Sequence, residues 1–269
     1  SDKLELRSMT LNVDTLLSQW ELYLLILVRI TAFIYTAPFF SMNNVPARTK
    51  LGLALFLSYI IVCITPEQSY SYDGVIGYAI LVLRETIVGL SIGFCANLSI
   101  QAVHFAGNII DVNIGLAMAT MYDPATRMQV NLSGRLYYYV VLLLMMISGL
   151  HRFLIQAIVD TYTVIPIGAA IIKPTVYNTV VGFIADYFVI GFRIALPVFI
   201  TLMLMSCILG IMAKIAPQMN MFSVGMQLKI IVGLMVMYLT VSMLPSVSNF
   251  LMETMKSNIV DIVKGMYAG

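Results

Sequence analysis

The sequence has few of the charged residues, histidines and cysteines on which many enzyme active sites and metal sites depend. Of its 269 residues 10% are charged, two are histidines and three are cysteines. Neither His104 nor His151 has metal-ligand spacing to another ligand, and no phosphate-binding loop or nucleophile motif occurs. The cysteines are far apart within apolar runs, which indicates small packing residues and no disulfide framework or zinc site. We therefore expect no enzymatic activity and no cofactor, and a net charge of +2 gives no reason to expect nucleic acid as a partner.

Apolar residues are abundant instead. Hydrophobic residues make up 60% of the chain and the mean hydropathy is +0.94, far from a soluble composition in which about a quarter of the residues are charged. Several apolar runs approach the roughly 20 residues that span a bilayer core. The sequence thus predicts an all-α fold of the integral-membrane type, a single unit of long, broken apolar helices and helical hairpins. No cleavable signal peptide is expected, and Met9 is a candidate native start with residues 1–8 left over from cloning.

Prolines and polar turns divide the chain into six expected apolar helices. They cover approximately residues 16–37, 48–65, 75–108, 136–164, 177–216 and 223–244. Pro197 predicts a kink within the fifth helix. Pro245 is expected to close the sixth, after which Ser246 or Ser248 would cap a last helix. Basic residues are shared evenly between the alternating loops, so the positive-inside rule assigns no orientation.

The last helix has the clearest periodicity in the chain. At about 100° per residue its apolar side chains share one face and its charged side chains share the opposite face. The apolar face comprises Leu251, Met255, Ile259, Ile262 and Met266, and the charged face Glu253, Lys256, Asp261 and Lys264. This pattern predicts an amphipathic helix that does not cross the membrane. It would pack against a partner or along the outside of a bundle, or else lie on the bilayer surface.

A segment between the third and fourth helices is apolar but interrupted by glycines. Gly107 and Gly115 lie within it, and so do Asp111 and Asp123. We expect an irregular segment over residues 106–124. The two aspartates could serve as a proton relay, although capping a helix or fixing a turn is the commoner use of such residues.

Several charged residues interrupt otherwise apolar helices, namely Arg29, Arg84, Glu85 and Arg193. Ionisable groups at such depth face the interior of a bundle, pair with one another or mark a pathway. They equally fit positions near a helix end, from which a long side chain reaches water. On the third helix Gly89, Gly93 and Ala96 form a small-residue face that predicts close approach of another helix.

Residues 210–225 separate two long apolar segments. Pro217 cannot donate a backbone hydrogen bond, so the preceding helix should stop or bend at Ala216. Within hydrocarbon such a break is tolerated only where protein or a wet cavity satisfies the freed groups. Gln218 and Asn220 place two amide side chains beside it. Methionines near the irregular segments would suit a deformable seal around passing chains, although they are also ordinary filling of a membrane helix.

Four stretches carry a family resemblance when they are taken together, in order and spacing. They are Pro38-Phe39-Phe40-Ser41 with Val45-Pro46 and Lys50; Arg84-Glu85 with Gly89 and Gly93; Ala106-Gly107 with Asp111, Gly115 and Asp123-Pro124; and Gly210, Ala213-Lys214, Ala216-Pro217-Gln218-Met219-Asn220, Phe222 and Val224-Gly225. Together they resemble the FliR family of flagellar type III export-gate proteins, whose virulence-secretion counterparts are the SctT proteins. The resemblance covers almost all of the chain. Asn113 and Lys214 depart from it, since glutamine and arginine are more usual there.

The resemblance implies a structural component of a protein-export channel. It implies a FliP-like part over about residues 11–175, followed over about residues 176–269 by later helices that include a FliQ-like hairpin. The implied partners are FliP and FliQ homologues, which would complete a pore for unfolded flagellar subunits, together with FlhB and FlhA homologues, the basal-body ring and rod, and membrane lipid. The implied location is the bacterial inner membrane at the flagellar basal body.

The resemblance also implies roles for individual residues. A plug in the pore is expected at Ala106, Gly107, Asp111, Asn113, Gly115, Met118, Met121 and Asp123. A helix-break and assembly motif is expected at Gly210, Lys214, Pro217, Gln218, Asn220, Phe222 and Gly225. Arg84 and Glu85 are candidates for charge pairing between subunits.

Two alternatives stay open at this point. One is a virulence-type homologue, although Val224-Gly225 followed by Leu228-Lys229-Ile230 favours the flagellar type. The other is a small secondary transporter, which would also use broken helices near a binding site. Against the transporter, the two halves of the chain show no internal repeat with paired breaks.

Overall fold

The structure, a computed structural model, describes residues 2–42, 44–64, 70, 72–115, 132–171, 173–218 and 220–267. Its helices are α1 (Asp2–Thr36), α2 (Ala47–Ile64), α3 (Gly74–Ile114), α4 (Leu132–Ile147), α5 (Leu150–Val164), α6 (Pro174–Ile215), α7 (Met221–Thr240) and α8 (Leu244–Met266). A 3₁₀ turn, Val241–Met243, joins α7 to α8. No strand occurs within these ranges, and the all-α expectation is confirmed.

Helix α1 is longer than its apolar run. It ends close to the predicted position, at Thr36, but it begins at Asp2 and not near residue 16. The expected start followed hydropathy alone, whereas charged residues such as glutamate and lysine are also good helix formers. Pro38 and Phe39 follow the helix, and Phe39 has a left-handed backbone with φ of 70°. They form the predicted turn before α2.

Helix α3 runs through part of the glycine-interrupted segment. The expectation of an irregular segment from residue 106 is wrong for residues 106–114, because the helix continues to Ile114. Gly107 lies so close to the backbone of Gly134 that a Cβ would collide with it. This contact offsets the weak helix propensity of glycine. Gly115 then ends the helix with φ of +92°, a conformation that glycine adopts without strain.

Two helices occupy the stretch where one was expected. α4 and α5 replace the predicted helix over residues 136–164, and their axes differ by 68°. The turn between them contains Gly149, which has φ of +81°. A single glycine inside an apolar run gave too little signal to predict this break.

The predicted break before Pro217 is confirmed, since α6 ends at Ile215 and α7 begins at Met221. Pro197 lies inside α6, and its kink stays a prediction.

The expectation for Pro245 is wrong. α7 ends at Thr240, and Pro245 is the second residue of α8. A proline is tolerated there because the first N–H groups of a helix have no intrahelical acceptor. Ser246 and Ser248 accordingly lie inside α8 and do not cap it.

The amphipathic pattern of α8 is confirmed. The predicted apolar residues are each at most 2% exposed, namely Leu251, Met255, Ile259, Ile262 and Met266. Glu253, Asp261 and Lys264 are exposed, and Lys256 is half-buried. The apolar face therefore packs against protein.

Four helical segments of the described chain are long and apolar enough to cross a membrane. They are α2, α3, α6 and the run Ser223–Met266, and the bent pair of α4 and α5 makes a fifth if it counts as one span. Of the six expected apolar helices, the second, third, fifth and sixth correspond to these segments, and the fourth corresponds to the bent pair. α1 is not among them.

The chain forms two compact units, each assembled from separate stretches. The first unit comprises Ser1–Asn97, His151–Val180 and Ser257–Gly269, and the second comprises Leu98–Leu150 and Val181–Lys256. The core of the first unit includes Ile26, Ile30 and Phe33 of α1, which are at most 1% exposed. The core of the second includes Ile110, Tyr137 and Val141, also at most 1% exposed. The implied division near residue 175 stays a prediction.

Candidate functional site

Small residues on α3 bring α1 into close contact within the first unit. A Cβ on Gly89 would collide with the backbone oxygen of Arg29, and one on Gly93 would collide with the Thr36 side chain. The predicted close approach of a helix to this face is confirmed, and that helix is α1. The contact holds the backbone of Arg29 beside the turn of α3 that carries Glu85.

Arg29 is fully buried and pairs with Glu85. Its Nε lies 2.5 Å from Glu85 Oε2, and both side chains are 0% exposed. Its remaining guanidinium nitrogens donate to Thr161 Oγ1 and to the Ile165 carbonyl oxygen, all at 3.3 Å. The guanidinium carbon also lies 4.2 Å from the centroid of the Tyr162 ring. Ion pair, hydrogen bonds and ring together replace the water that the cation loses on burial.

Glu85 and Arg84 both bind Gly168, which lies in the connection between α5 and α6. The second oxygen of Glu85 accepts the Gly168 N–H at 2.9 Å. Arg84 Nη1 donates to the Gly168 carbonyl oxygen at 2.7 Å. Gly168 has φ of +77°, a backbone conformation that glycine adopts without strain. Its N–H and its carbonyl oxygen both face α3.

These contacts give Arg84 and Glu85 partners inside their own chain. Both carboxylate oxygens of Glu85 are occupied there, so pairing with another subunit would require it to exchange partners. Pairing between subunits stays a prediction. The sequence could not show Arg29 as the partner of Glu85, because the two residues lie 56 positions apart and meet only through the packing of α1 on α3.

In the second unit, Asp111 of α3 lies at the start of α4. It is 3% exposed, and its Oδ1 accepts the backbone N–H of Ser133 at 3.1 Å. Ser133 is the second residue of α4. The first N–H groups of a helix lack intrahelical partners and carry a partial positive charge, so a carboxylate placed there is stabilised. This contact realises the capping alternative that the sequence left open for Asp111.

Two further contacts fix α4 near its start. Tyr137 Oη and Thr240 Oγ1 are 2.7 Å apart, which ties α4 to the end of α7. The Ser133 hydroxyl lies 3.2 Å from the Met237 sulfur. Together with the contact between Gly107 and Gly134, they hold α4 against both α3 and α7.

The structure separates the expected plug residues into three groups. Ala106, Gly107, Asp111 and Asn113 belong to α3, and Gly115 ends it. Asn113 bonds to its own helix, with Nδ2 donating to the Ile109 carbonyl oxygen at 2.7 Å. Met118, Met121 and Asp123 lie outside the described residues. The four helical residues therefore form an anchored helix end, and the plug role stays a prediction.

The break between α6 and α7 is built from local contacts. Pro217 and Gln218 are exposed in the turn, and Asn220 Oδ1 accepts the Ser223 N–H at 3.4 Å as the N-cap of α7. Lys214 lies in the last turn of α6, where a cation complements the helix dipole. A Cβ on Gly225 would lie 3.2 Å from Leu209, whereas one on Gly210 would meet nothing. The side chain of Phe222 lies outside the described residues.

In the described part of the chain, the histidines and cysteines form no metal-binding cluster. His104 stacks on Tyr138 with ring centroids 4.2 Å apart. Cys95 is buried, while Cys63 and Cys207 are exposed. No group of three potential metal ligands occurs among these residues.

Residues 20–255 match the model of a protein family described as bacterial export proteins, family 1. The chain is 32% identical over 254 residues to the flagellar biosynthetic protein FliR of Bacillus subtilis. The aligned region covers 91% of this chain and 97% of the relative. The chain belongs to the FliR family. It is also similar to FliR of Escherichia coli, at 29% identity over 92% of this chain and 94% of the relative. FliR of Aquifex aeolicus is 26% identical, and the aligned region covers 80% of this chain and 83% of the relative.

Membership of the FliR family places the chain among flagellar biosynthetic and export proteins of the membrane. The relatives are named for flagellar biosynthesis and not for an enzymatic reaction. The family match includes the cluster around Arg29, the capping contact of Asp111 and the break at Pro217.

Proposed function

We propose that this chain is a structural component of the flagellar type III export gate. With FliP and FliQ homologues it forms the pore through which unfolded flagellar subunits leave the cell. The complex lies in the bacterial inner membrane at the basal body, where FlhB and FlhA homologues and the basal-body ring and rod adjoin it. The chain acts by shape and sealing, without catalytic groups.

One observation carries this proposal beyond family membership: the chain cannot cover its own apolar surface. α6 has 42 residues, and only 17% of its most apolar window is buried. At 1.5 Å per residue such a helix is about twice as long as the core of a bilayer is thick. Towards the start of α6, Tyr177, Val189 and Phe192 are each more than half exposed. Because lipid can cover only part of so long an apolar helix, neighbouring subunits would have to cover the rest.

The remaining alternatives fit less well. The relatives reported above carry the name of a flagellar protein, which favours the flagellar over the virulence-type system. A transporter would hold a substrate among polar groups at a helix break. Here Asn220 turns its amide to its own helix N-terminus, and Pro217 and Gln218 are exposed.

Co-expression with FliP and FliQ homologues tests the proposal. An affinity tag on this chain should recover a complex of all three proteins with a fixed ratio in native mass spectrometry. A variant with Pro217→Ala and Asn220→Ala should recover less complex and reduce motility, with Gly182→Ala as a control at an uncontacted position outside the motif. Recovery of this chain alone from cells that express all three proteins would contradict the proposal.

The plug is tested separately, in the assembled complex. Replacing residues 116–123 by a glycine-serine segment of equal length leaves the capping contact of Asp111 in place. Ion leakage through the gate should then rise. Unchanged conductance in an intact complex would count against a plug in this region, without bearing on membership of the gate.

A further inference from the structure

Arg193 and Lys214 enclose the longest uncharged stretch of α6. The residues between them, 194–213, number about the twenty that a helix needs to cross the hydrocarbon core. Basic side chains at both ends of such a stretch are placed to reach the two membrane surfaces. With residues 194–213 across the hydrocarbon core, Arg193 would lie at the level where hydrocarbon gives way to lipid headgroups.

The helical run after the break has a matching pattern. Lys229 and Glu253 enclose residues 230–252, which carry no charge and run from α7 through the 3₁₀ turn into α8. Ser246 and Phe250, close to the Glu253 end of this run, line the same groove as Arg193. Within the second unit, both uncharged stretches thus reach their ends at one groove.

The groove has a volume of about 280 Å³ and is lined by Ile190, Arg193, Ile194, Ser246, Val247 and Phe250. Its lining is apolar apart from the guanidinium group of Arg193 and the hydroxyl group of Ser246. Arg193 is exposed, and among the described residues no ion pair or hydrogen bond joins it to another side chain. Asp186 lies two turns earlier on α6 and Glu253 lies one turn after Phe250; neither pairs with Arg193. The groove thus combines an uncompensated cation with an apolar wall.

We propose that this groove binds an anionic phospholipid, with Arg193 and Ser246 donating to its phosphate. A guanidinium group matches phosphate through parallel N–H donors. The acyl chains lie against Ile194 and Val247 and continue along the exposed apolar side chains that follow on α6. Those side chains are Leu196, Ile200, Met203 and Leu204, each at least 41% exposed.

A lipid fits this groove better than an acidic side chain of a neighbouring protein. A carboxylate would satisfy the guanidinium group alone. A phospholipid satisfies the guanidinium group and covers the apolar wall in the same position, at the depth where its phosphate naturally lies.

Lipid retention by the delipidated full-length chain tests the proposal. The purified protein is titrated with phosphatidylglycerol and, separately, with phosphatidylcholine of the same acyl chains, and bound lipid is counted by native mass spectrometry. We expect about fivefold tighter retention of phosphatidylglycerol, the effect of one arginine at a membrane surface. Arg193→Gln should abolish this preference, Arg193→Lys should keep most of it, and Arg152→Gln, which removes an exposed arginine elsewhere, should leave it unchanged.

Three results would overturn the lipid assignment. The first is equal retention of the two lipids by the wild-type chain or undiminished preference in Arg193→Gln. The second is displacement of phosphatidylglycerol by excess inorganic phosphate, because the site would then recognise phosphate alone. The third is rescue of an Arg193→Glu complex by a basic substitution in a FliP or FliQ homologue, which would assign Arg193 to an acidic partner residue.

Discussion

Helix α3 carries two buried carboxylates, one in each unit, and the fold balances their charges differently. Glu85 faces a whole positive charge on Arg29 and also accepts the Gly168 N–H. Asp111 accepts the Ser133 N–H at the start of α4, and no ion pair joins it to a cation among the described residues. A full charge left alone in the interior is far more costly than a lost cap. The two sites should therefore differ strongly in what a substitution does to them.

The largest effect is expected for Arg29→Met, which leaves the carboxyl group of Glu85 buried without its partner. The free energy of unfolding should fall by about 3–5 kcal/mol. Denaturant unfolding of the purified chain in detergent measures this, with Arg152→Met as a control that removes an exposed arginine. The double variant Arg29→Met with Glu85→Met should recover at least half of the loss. Wild-type stability of the single variant would show that the pair is dispensable.

Gly107→Val tests how firmly the end of α3 is anchored in the second unit. Its side chain would meet the backbone of Gly134, so we expect a loss of about 1–3 kcal/mol in the free energy of unfolding. Gly210→Ala is the matched control, because an added Cβ there meets no atom within 4 Å. Equal stability of the two variants would mean that α4 shifts freely away from α3.

Asp111→Asn should have a smaller effect than either change. The amide oxygen still accepts the Ser133 N–H, and only the interaction of a full negative charge with the helix dipole is lost. We expect a decrease of about 0.5–1 kcal/mol in the free energy of unfolding, and a larger one for Asp111→Leu. Glu85→Gln provides the comparison. If Asp111→Asn lowered stability as much as Glu85→Gln, the distinction between the two carboxylates would fail.

The smallest effect concerns Tyr70, which lies near the carboxylate of Glu21 outside the membrane-spanning segments. Burial and, second, the charge of Glu21 raise the pKa of Tyr70 from 10.0 to about 12. Because the folded chain then holds this proton more tightly than the unfolded chain, the associated stability is complete below pH 10 and declines as the pH rises to about 12. The absorbance difference between wild type and Tyr70→Phe should show one tyrosinate forming near pH 12. Titration near pH 10 would contradict this environment.

Patterns that repeat along one helix could be predicted from the sequence, and pairings between distant residues could not. The buried face of α8 follows from the spacing of Leu251, Met255 and Ile259, and the end of α6 follows from Pro217. The continuation of α3 to Ile114 depends on the contact between Gly107 and Gly134 of α4. The residues of α3 alone do not predict this contact.

The candidate sites divide along the same line. Charges inside apolar helices were identifiable as residues that need partners, yet their partners depend on tertiary packing. Arg29 reaches Glu85 only because Gly89 admits α1, and the Asp111 cap requires α4 to begin beside α3. Composition and periodicity carry no information about either coincidence.

The hydrogen bonds that join Glu85 and Arg84 to Gly168 also imply an order of events during synthesis. α1 and α3 leave the ribosome well before residue 168, so the Glu85 carboxylate can meet Arg29 while the Gly168 amide is still unmade. Arg29 can then stabilise Glu85 before the connection between α5 and α6 has been synthesised. When this connection packs against α3, its Gly168 amide binds a carboxylate that Arg29 already holds in place, so α1 and α3 act as a template for it.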